Sequence, residues 1–248
     1  MIEKKRLRGF VGVFACILAV GASARAELIQ NGGFETTTGV DKQIGYNTTV
    51  SDWASANGNR LNFVFGEGSV SATGTYGDFT VWASTNGGAV GNTFDGVSPA
   101  GGNFIVADGD SRYSAALEQT IGGLVVGQKY DLSFWWAAGQ QRGFDGATTE
   151  LSWIVSFGGE THSTEQLTNP EHDFQPWRQT TLQFTATSEV QTLSFLAWGL
   201  PNTGSGIPPL LFLDGVSMNA VPEPTSVALM GLGIAGLVAL KRRNASAG

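Results

Sequence analysis

Two tryptophans are the residues with the clearest capacity to bind a ligand. From 130 to 138, apolar and polar side chains alternate, which predicts a strand with Trp135 and Asp131 on the face opposite the core. The same alternation over 192–198 places Trp198 opposite a core face. Aromatic rings stack on sugar rings and carboxylates bond hydroxyl groups, so Trp135, Trp198 and Asp131 are predicted to bind a carbohydrate. The alternative is that a loop covers each tryptophan as a second small core.

Asp214 is the acid with the most unusual predicted position. Along 210–218 it shares a face with Leu210, Phe212, Val216 and Met218, which points its carboxylate toward the apparent core. A buried carboxylate needs a hydrogen-bonded partner, a cation or a raised pKa. Two interpretations stay open: a bound cation, or hydrogen bonds from backbone amides at the end of the strand.

Enzymatic signatures are missing from the sequence, which contains no His-Glu-x-x-His, Gly-x-Ser-x-Gly or P-loop motif. His162 and His172 lie in a polar stretch and are predicted to be solvated loop residues. The stretch from Asp108 to Arg112 begins like a calcium loop, but Arg112 stands where a ligand is needed, so a turn is predicted. No residue is predicted to be catalytic, although a pair of carboxylates close only in space leaves no mark in a sequence.

The amino terminus has the pattern of a secretory signal peptide over residues 1–26. Four basic residues precede an apolar stretch at 10–20, and Ala24-Arg25-Ala26 offers small residues to signal peptidase. The only cysteine, Cys16, lies inside this segment. The mature protein would therefore have neither a disulfide bond nor a thiol nucleophile.

The region 27–220 is predicted to form one all-β domain. It contains six Lys and Arg against 19 Asp and Glu, a net charge near −13, which argues against nucleic acid and anionic membrane surfaces as partners. Alternating segments bounded by Gly-rich turns predict strands at 28–30, 61–65, 79–83, 104–107, 117–121, 130–138, 151–157, 177–186, 192–198 and 210–218. The expected architecture is an antiparallel β-sandwich with jelly-roll connections.

The carboxyl-terminal segment 221–248 combines three features in order. Pro222-Glu223-Pro224 is followed by an apolar stretch at 227–240 and by Lys241-Arg242-Arg243. The apolar stretch predicts a helix about 21 Å long, against a hydrocarbon core of roughly 30 Å. The basic cluster would stay on the cytoplasmic side, so the domain is expected outside the cytoplasm.

This tail resembles the PEP-CTERM sorting signal of bacteria that make extracellular polysaccharide. The resemblance rests on Pro222, Glu223 and Pro224 as the recognition motif and on Lys241, Arg242 and Arg243 as the basic end. It implies recognition by an exosortase, a membrane-embedded protease, and a transient stay in the inner membrane. The processed protein is then expected at the cell surface or in the extracellular matrix.

Several segments of the domain resemble galactose-binding-like and carbohydrate-binding-module jelly rolls. They are 28–35 with the sequence LIQNGGFE, 117–124 with LEQTIGGL, 127–134 with GQKYDLSF, Trp177, 181–186 with TLQFTA, and 213–217 with LDGVS. The resemblance implies a mostly non-catalytic sandwich and a structural calcium ion near Asp214 and Glu35. Backbone carbonyls would complete its six to eight oxygen ligands.

Together these features predict an exported, non-catalytic protein that binds or organises extracellular polysaccharide. Two other functions stay open. One is a hydrolase of the same polymer, and the other is a structural or ice-interacting surface protein with no sugar ligand. Regular arrays of threonine would favour the last, and the threonines here are scattered.

Overall fold

The structure, a computed structural model, describes residues 27–56, 61–201 and 206–222, together with Gly231, Gly233 and Ile234. The predicted signal peptide, Glu223, Pro224, most of the predicted helix at 227–240 and the basic cluster at 241–243 lie outside the described residues. Within the described part of the chain, no helix has the length and apolarity that a membrane crossing requires.

The described chain is built from strands that are short in the first half and long in the second. Their bounds are β1 Lys42–Gln43, β2 Ala54–Ser55, β3 Asn62–Phe65, β4 Ser71–Gly74, β5 Gly77–Thr80, β6 Phe104–Asp108, β7 Leu117–Gly122, β8 Lys129–Gln140, β9 Thr148–Phe157, β10 Glu160–Ser163, β11 Leu167–Asn169, β12 Gln175–Thr185, β13 Val190–Pro201 and β14 Pro209–Ala220.

The strands form two sheets. One has the order β12-β8-β14-β6-β3-β1-β4-β5, and the other has the order β10-β9-β13-β7-β2 with β11 also paired to β9. All pairs are antiparallel except β1 with β4. Neighbours such as β8 and β14 are far apart in the chain, as jelly-roll connections require. The predicted all-β sandwich is confirmed.

The main core lies between the two sheets. Its inward side chains include Phe134 and Trp136 of β8, which face Trp153 of β9 and Phe195 of β13. Phe195 makes edge-to-face contacts with Phe134 and Trp153 at ring-centroid distances of 5.1 and 6.0 Å. The predicted alternation of β8, with Trp135 and Asp131 on the face opposite the core, is therefore confirmed.

A second core covers part of the outer face of the larger sheet. It combines Phe63, Phe104 and Phe212 from the strands with Phe94 and Phe174 from the loops that fold over them. Phe104 and Phe212 belong to strands that are buried on both faces. The long excursion between β5 and β6 is thus explained, because it shields an apolar sheet face that would otherwise meet water.

Two predicted strands differ in the structure. Residues 28–30 form bends instead of a strand. Gln30 donates its backbone N–H to Gln119 Oε1 at 2.9 Å and accepts from Gln119 Nε2 at 2.7 Å, so one side chain replaces ladder pairing. The strand predicted at 79–83 ends at Thr80, and Val81 makes only an isolated bridge with Gln141.

The predicted burial of Asp214 on the face of Leu210 and Phe212 is confirmed, but its predicted face was wrong for Val216 and Met218, because β14 contains a bulge. Its pairing with β8 shifts register between Asp214 and Ser217, and Gly215 adopts φ +58° there. Leu210 and Phe212 before the bulge pack in the outer core, while Val216 and Met218 after it pack in the main core. Asp214 therefore points to the outer side of the sheet, where loops bury it.

The carboxyl-terminal end of β14 is held tightly against the start of β8. The Val221 N–H donates to the Lys129 carbonyl at 2.9 Å, and Gln128 Nε2 donates to the Val221 carbonyl at 2.7 Å. The ordered pairing of the domain thus extends to the residue before Pro222.

Candidate functional site

A cleft of about 330 Å³ opens at one end of the larger sheet. The β4–β5 hairpin, the end of β6 with the loop that follows it, and the segment after β8 form its walls. Its lining combines aromatic and charged groups. These are Phe63, Tyr76, Phe79, Tyr113 and Phe144 with Asp78, Asp108, Arg112 and Gln141.

The hairpin that carries Tyr76 is fixed by a buried glutamine. Gln43, fully buried on β1, accepts the Thr75 N–H through Oε1 at 2.7 Å. A Cβ at Gly74 would lie 2.3 Å from that oxygen and 2.8 Å from the Phe63 ring, so only glycine fits without a shift. Beneath the hairpin, Phe63 and Phe79 stack at 4.4 Å with an interplanar angle of 9°. These contacts fix the position of the turn that carries Tyr76.

Two tyrosines stand at the mouth of the cleft. Tyr76 is 75% exposed and Tyr113 is 36% exposed, and their rings meet edge to face at 6.1 Å. The Arg112 guanidinium lies 5.5 Å from the centre of the Tyr113 ring. Exposed aromatic faces above polar groups suit a ligand with both C–H and hydroxyl surfaces.

Asp108 lines the cleft, and Asp110 lies behind it as the partner of Arg112; the two carboxyl groups are in opposite electrostatic states. Burial raises the pKa of Asp108 from 3.8 to about 7, against a hydrogen bond from the Asp110 N–H at 2.8 Å. The Arg112 guanidinium donates to both oxygens of Asp110 and lowers the pKa of that carboxyl group. The cleft thus offers the Asp108 carboxyl group, protonated below pH 7, while the ionised Asp110 neutralises Arg112 from outside the lining.

A second surface adjoins the first through Asp78, which lines both. Here Trp82 is half-buried between Arg142, whose guanidinium lies 5.3 Å from the ring centre, and His172, whose ring lies 4.1 Å away. Asp145 lines the same surface. Together the two surfaces form an extended groove along the edge strand β5.

The predicted ligand residues are not all brought together. Trp135 and Asp131 lie on the outer face of β8, where Gln183 Nε2 donates to Asp131 Oδ1 at 3.0 Å and Trp135 is half-buried. Trp198 is half-buried on β13, which belongs to the other sheet. Trp135 and Trp198 therefore do not share one surface.

Glu35 and Asp214, the predicted metal ligands, approach the same point. An ideal Cβ on Gly33 would lie 3.7 Å from Glu35 Oε1 and 3.9 Å from Asp214 Oδ1. Burial is the main cause that raises the pKa of Asp214 to about 7, and the negative charge of Glu35 adds to it. The Ser98 side chain and the Gly215 N–H, which donates to Oδ1 at 2.6 Å, hydrogen-bond this carboxyl group and lower its pKa against burial. By geometry, Oδ2 is buried without a partner among the described residues.

Sequence reasoning missed the tyrosines of the cleft. Tyr76 lies in a segment that matched no known pattern, and Tyr113 follows a stretch interpreted only as a turn. A usable signal was present, because Gly74-Thr75-Tyr76-Gly77 places a large aromatic residue between turn-forming glycines. His162 lies on β10 and His172 contacts Trp82, so neither is a freely solvated loop residue.

Solved structures of similar shape include two that contain a bound sugar. No curated protein sequence matches the chain. An arabinose-bound GH51 α-L-arabinofuranosidase aligns with TM-score 0.42 and 17% identity over 78% of this chain, which spans only 26% of that enzyme. TmCBM61 in complex with β-1,4-galactotriose aligns with TM-score 0.34 and 15% identity over 79% of this chain and 100% of its own.

The CBM22-1 xylan-binding domain of Paenibacillus barcinonensis Xyn10C aligns with TM-score 0.36 and 9% identity over 73% of this chain and 91% of its own. These values describe a distant likeness in shape. The tail gives a more specific match, because residues 220–243 fit the family model described as the PEP-CTERM protein-sorting motif. The carboxyl-terminal segment of this chain is therefore a PEP-CTERM sorting motif.

Proposed function

We propose that this protein is an exported, non-catalytic glycan-binding protein whose binding site is the Tyr76–Tyr113 cleft. The observation that carries the proposal is the pair of exposed tyrosines fixed above Asp78, Asp108 and Arg112. A sugar ring packs its C–H face on an aromatic ring while its hydroxyl groups bond the charged side chains. The adjoining Trp82 surface extends the groove for a polymer.

The sorting motif supports the route outside the cytoplasm. Signal peptidase would remove residues 1–26, and the segment 227–240 would tether the chain to the inner membrane until an exosortase recognises Pro222-Glu223-Pro224. The processed domain would then be located at the cell surface or in the matrix, where extracellular polysaccharide is available as a ligand.

The charge of the cleft favours a neutral glycan. Arg112 is paired with Asp110 and Asp108 holds its proton up to about pH 7, which leaves the Asp78 carboxylate to set the sign of the potential within a domain of net charge near −13. Uronic acid polymers are repelled by such a field. Trp135 and Asp131 on the outer face of β8 would add a second contact, while Trp198 would need a separate ligand on the other sheet.

A calcium ion held by Glu35 and Asp214 would support this fold. The residues present fit the ion, because a buried carboxylate oxygen without a partner needs positive charge and Glu35 supplies a second oxygen ligand. Calcium should therefore raise the thermal unfolding temperature of the full chain relative to chelator. Asp214→Asn should remove that difference, and an equal calcium response in the variant would exclude Asp214 as a ligand.

Binding to glycans tests the main proposal. Full chain purified in detergent should bind at least one neutral polysaccharide from a panel of neutral and uronic acid polymers. Tyr76→Ala and Tyr113→Ala should each weaken binding by about tenfold, roughly 1–1.5 kcal/mol for one lost aromatic contact. Tyr46→Ala, at an exposed tyrosine outside the cleft lining, is the matched control.

Two other outcomes of this experiment would contradict the proposal. Binding that Trp135→Ala weakens and Tyr76→Ala leaves unchanged would move the site to the outer face of β8. Binding to none of the polymers, with the fold intact by circular dichroism, would reject glycan recognition and leave a structural surface protein.

The pair of Asp108, which lines the cleft, and its neighbour Asp110 makes hydrolysis the second candidate function. Asp108 holds its proton up to about pH 7 while Asp110 is ionised, and such divergent states are typical of general acid and base pairs. The bidentate contact of Asp110 with Arg112 occupies that carboxylate and favours binding over catalysis. Release of reducing sugar by the wild type, abolished in Asp108→Asn, would reverse this preference.

A further inference from the structure

A cluster of metal-ligating atoms lies beside the Trp82 surface, apart from the Glu35–Asp214 pair. His172 Nε2 lies 2.8 Å from Asp145 Oδ1 and 3.7 Å from Glu171 Oε1, and all three atoms lie within 4.8 Å of one another. Ligand atoms around a tetrahedral ion with bonds of about 2.0–2.2 Å are roughly 3.3–3.6 Å apart. The three atoms need only small side-chain adjustments to reach that spacing.

The two loops that supply these residues are tied together by one buried side chain. Gln140 is fully buried, and its Oε1 accepts the His172 N–H at 2.5 Å. Its Nε2 donates to the carbonyls of Phe144 and Gly146, which flank Asp145, at 3.0 Å each. A single glutamine thus ties the backbone of His172 to the loop that carries Asp145.

Further contacts hold the His172 backbone, and one contact packs against its ring. The His172 carbonyl accepts hydrogen bonds from Ala89 N and Asn92 Nδ2, both at 2.9 Å, and its ring packs on Trp82 at 4.1 Å. Orientation of a ligating histidine by surrounding contacts is a feature of built metal sites. Two carboxylates that converge on one imidazole also create a negative potential that a cation relieves.

We propose that His172, Asp145 and Glu171 form a surface site for a divalent transition metal such as Zn²⁺ or Ni²⁺. The imidazole nitrogen selects borderline metals over calcium, whereas the Glu35–Asp214 pair offers only oxygen. Three protein ligands leave at least one coordination position open at the Trp82 end of the groove. The site stands independently of glycan binding, because it rests only on these side chains.

The chain contains a matched control for this site. His162 Nε2 lies 2.9 Å from Glu160 Oε1, so it also pairs with a carboxylate, but no third ligand group joins it among the described residues. Full chain in detergent should bind one Zn²⁺ by calorimetry in millimolar calcium. His172→Gln should weaken that binding by more than about tenfold, and His162→Gln should leave it unchanged.

Asp145→Asn and Glu171→Gln test the carboxylates at exposed positions where the fold tolerates the change. Each should also weaken Zn²⁺ binding, and Ni²⁺ should quench tryptophan fluorescence less in Trp82→Phe than in the wild type, because Trp82 contacts the ligating ring. Failure of the wild type to bind Zn²⁺ at 1 mM, or equal loss in the His172 and His162 variants, would overturn the proposal. The readouts need no sugar ligand, so they are separate from the test of glycan binding.

Discussion

Asp108 shows how a single buried carboxyl group can set the behaviour of the cleft. It is 2% exposed at the end of β6, and the groups that act on it are the Asp110 N–H and carboxylate and the Arg112 guanidinium. The two hydrogen-bonding and cationic contributions lower its pKa, but burial outweighs them. Near pH 7 the protonated form of Asp108, a hydrogen-bond donor, and its ionised form, an acceptor, are therefore both populated.

This position makes the stability of the domain depend on pH. The unfolded chain releases the proton near pH 3.8, whereas the folded chain holds Asp108 protonated up to about pH 7. The folded state therefore binds more protons in this interval, and the free energy of unfolding falls as pH rises from about 4 to 7. The contribution of this one group is at most on the order of 4 kcal/mol.

Asp108→Asn should reduce the slope of stability against pH, measured by chemical unfolding of the full chain between pH 4.5 and 8. The variant should gain stability relative to the wild type at pH 8, because it has no carboxylate to bury. Asp78→Asn, at an exposed carboxylate of the same cleft, should leave the profile unchanged. A wild-type slope retained in Asp108→Asn would contradict this assignment.

At the scale of elements, the β4–β5 hairpin decides where the aromatic mouth of the cleft stands. Its position depends on the close approach of Gly74 to Gln43 and Phe63. Any side chain at Gly74 must displace either the oxygen that binds Thr75 or the ring stacked on Phe79. The hairpin would then tilt and carry Tyr76 with it.

Gly74→Ala should therefore lower both stability and affinity for the neutral glycan. Overpacking of this kind costs about 1–3 kcal/mol, which thermal unfolding detects, and the displaced Tyr76 should weaken binding as strongly as Tyr76→Ala. Gly122→Ala at the end of β7 is the control, because its Cβ would meet no atom within 4 Å. Full affinity in Gly74→Ala would show that the hairpin does not position the site.

The long strands could be predicted from sequence because their alternation is regular. β8, β9 and the first half of β14 follow the period of two, and Trp153 of β9 lies inward as that period requires. The prediction failed after Asp214, because the bulge at Gly215 reverses the faces and no local pattern distinguishes it from a turn glycine. The prediction of a strand at 28–30 failed because the pairing partner of Gln30 is a side chain remote in sequence.

At the scale of the whole molecule, composition predicted the class of protein but not its cleft. Acidic charge, glycine-rich turns and the carboxyl-terminal sorting motif are properties of the linear sequence, so they can be recognised without a structure. The cleft joins Tyr76, Asp108 and Gln141 from three distant segments. The proximity of these three residues depends on the order of the strands in the sheet. The position of β5 at the edge of the larger sheet was not predictable from local sequence patterns.

The hydrogen bond between Val221 and Lys129 limits the distance between the domain and the apolar segment of the tail. Only residues 222–226 separate this fixed point from the apolar segment at 227–240, and five residues span at most about 18 Å. During the tethered stage of the proposed route, the domain is therefore confined to a thin layer above the bilayer and encounters only polymer that reaches the membrane surface. Cutting the tail would change its search volume, from a surface to the full depth of the matrix, without altering a single contact in the cleft.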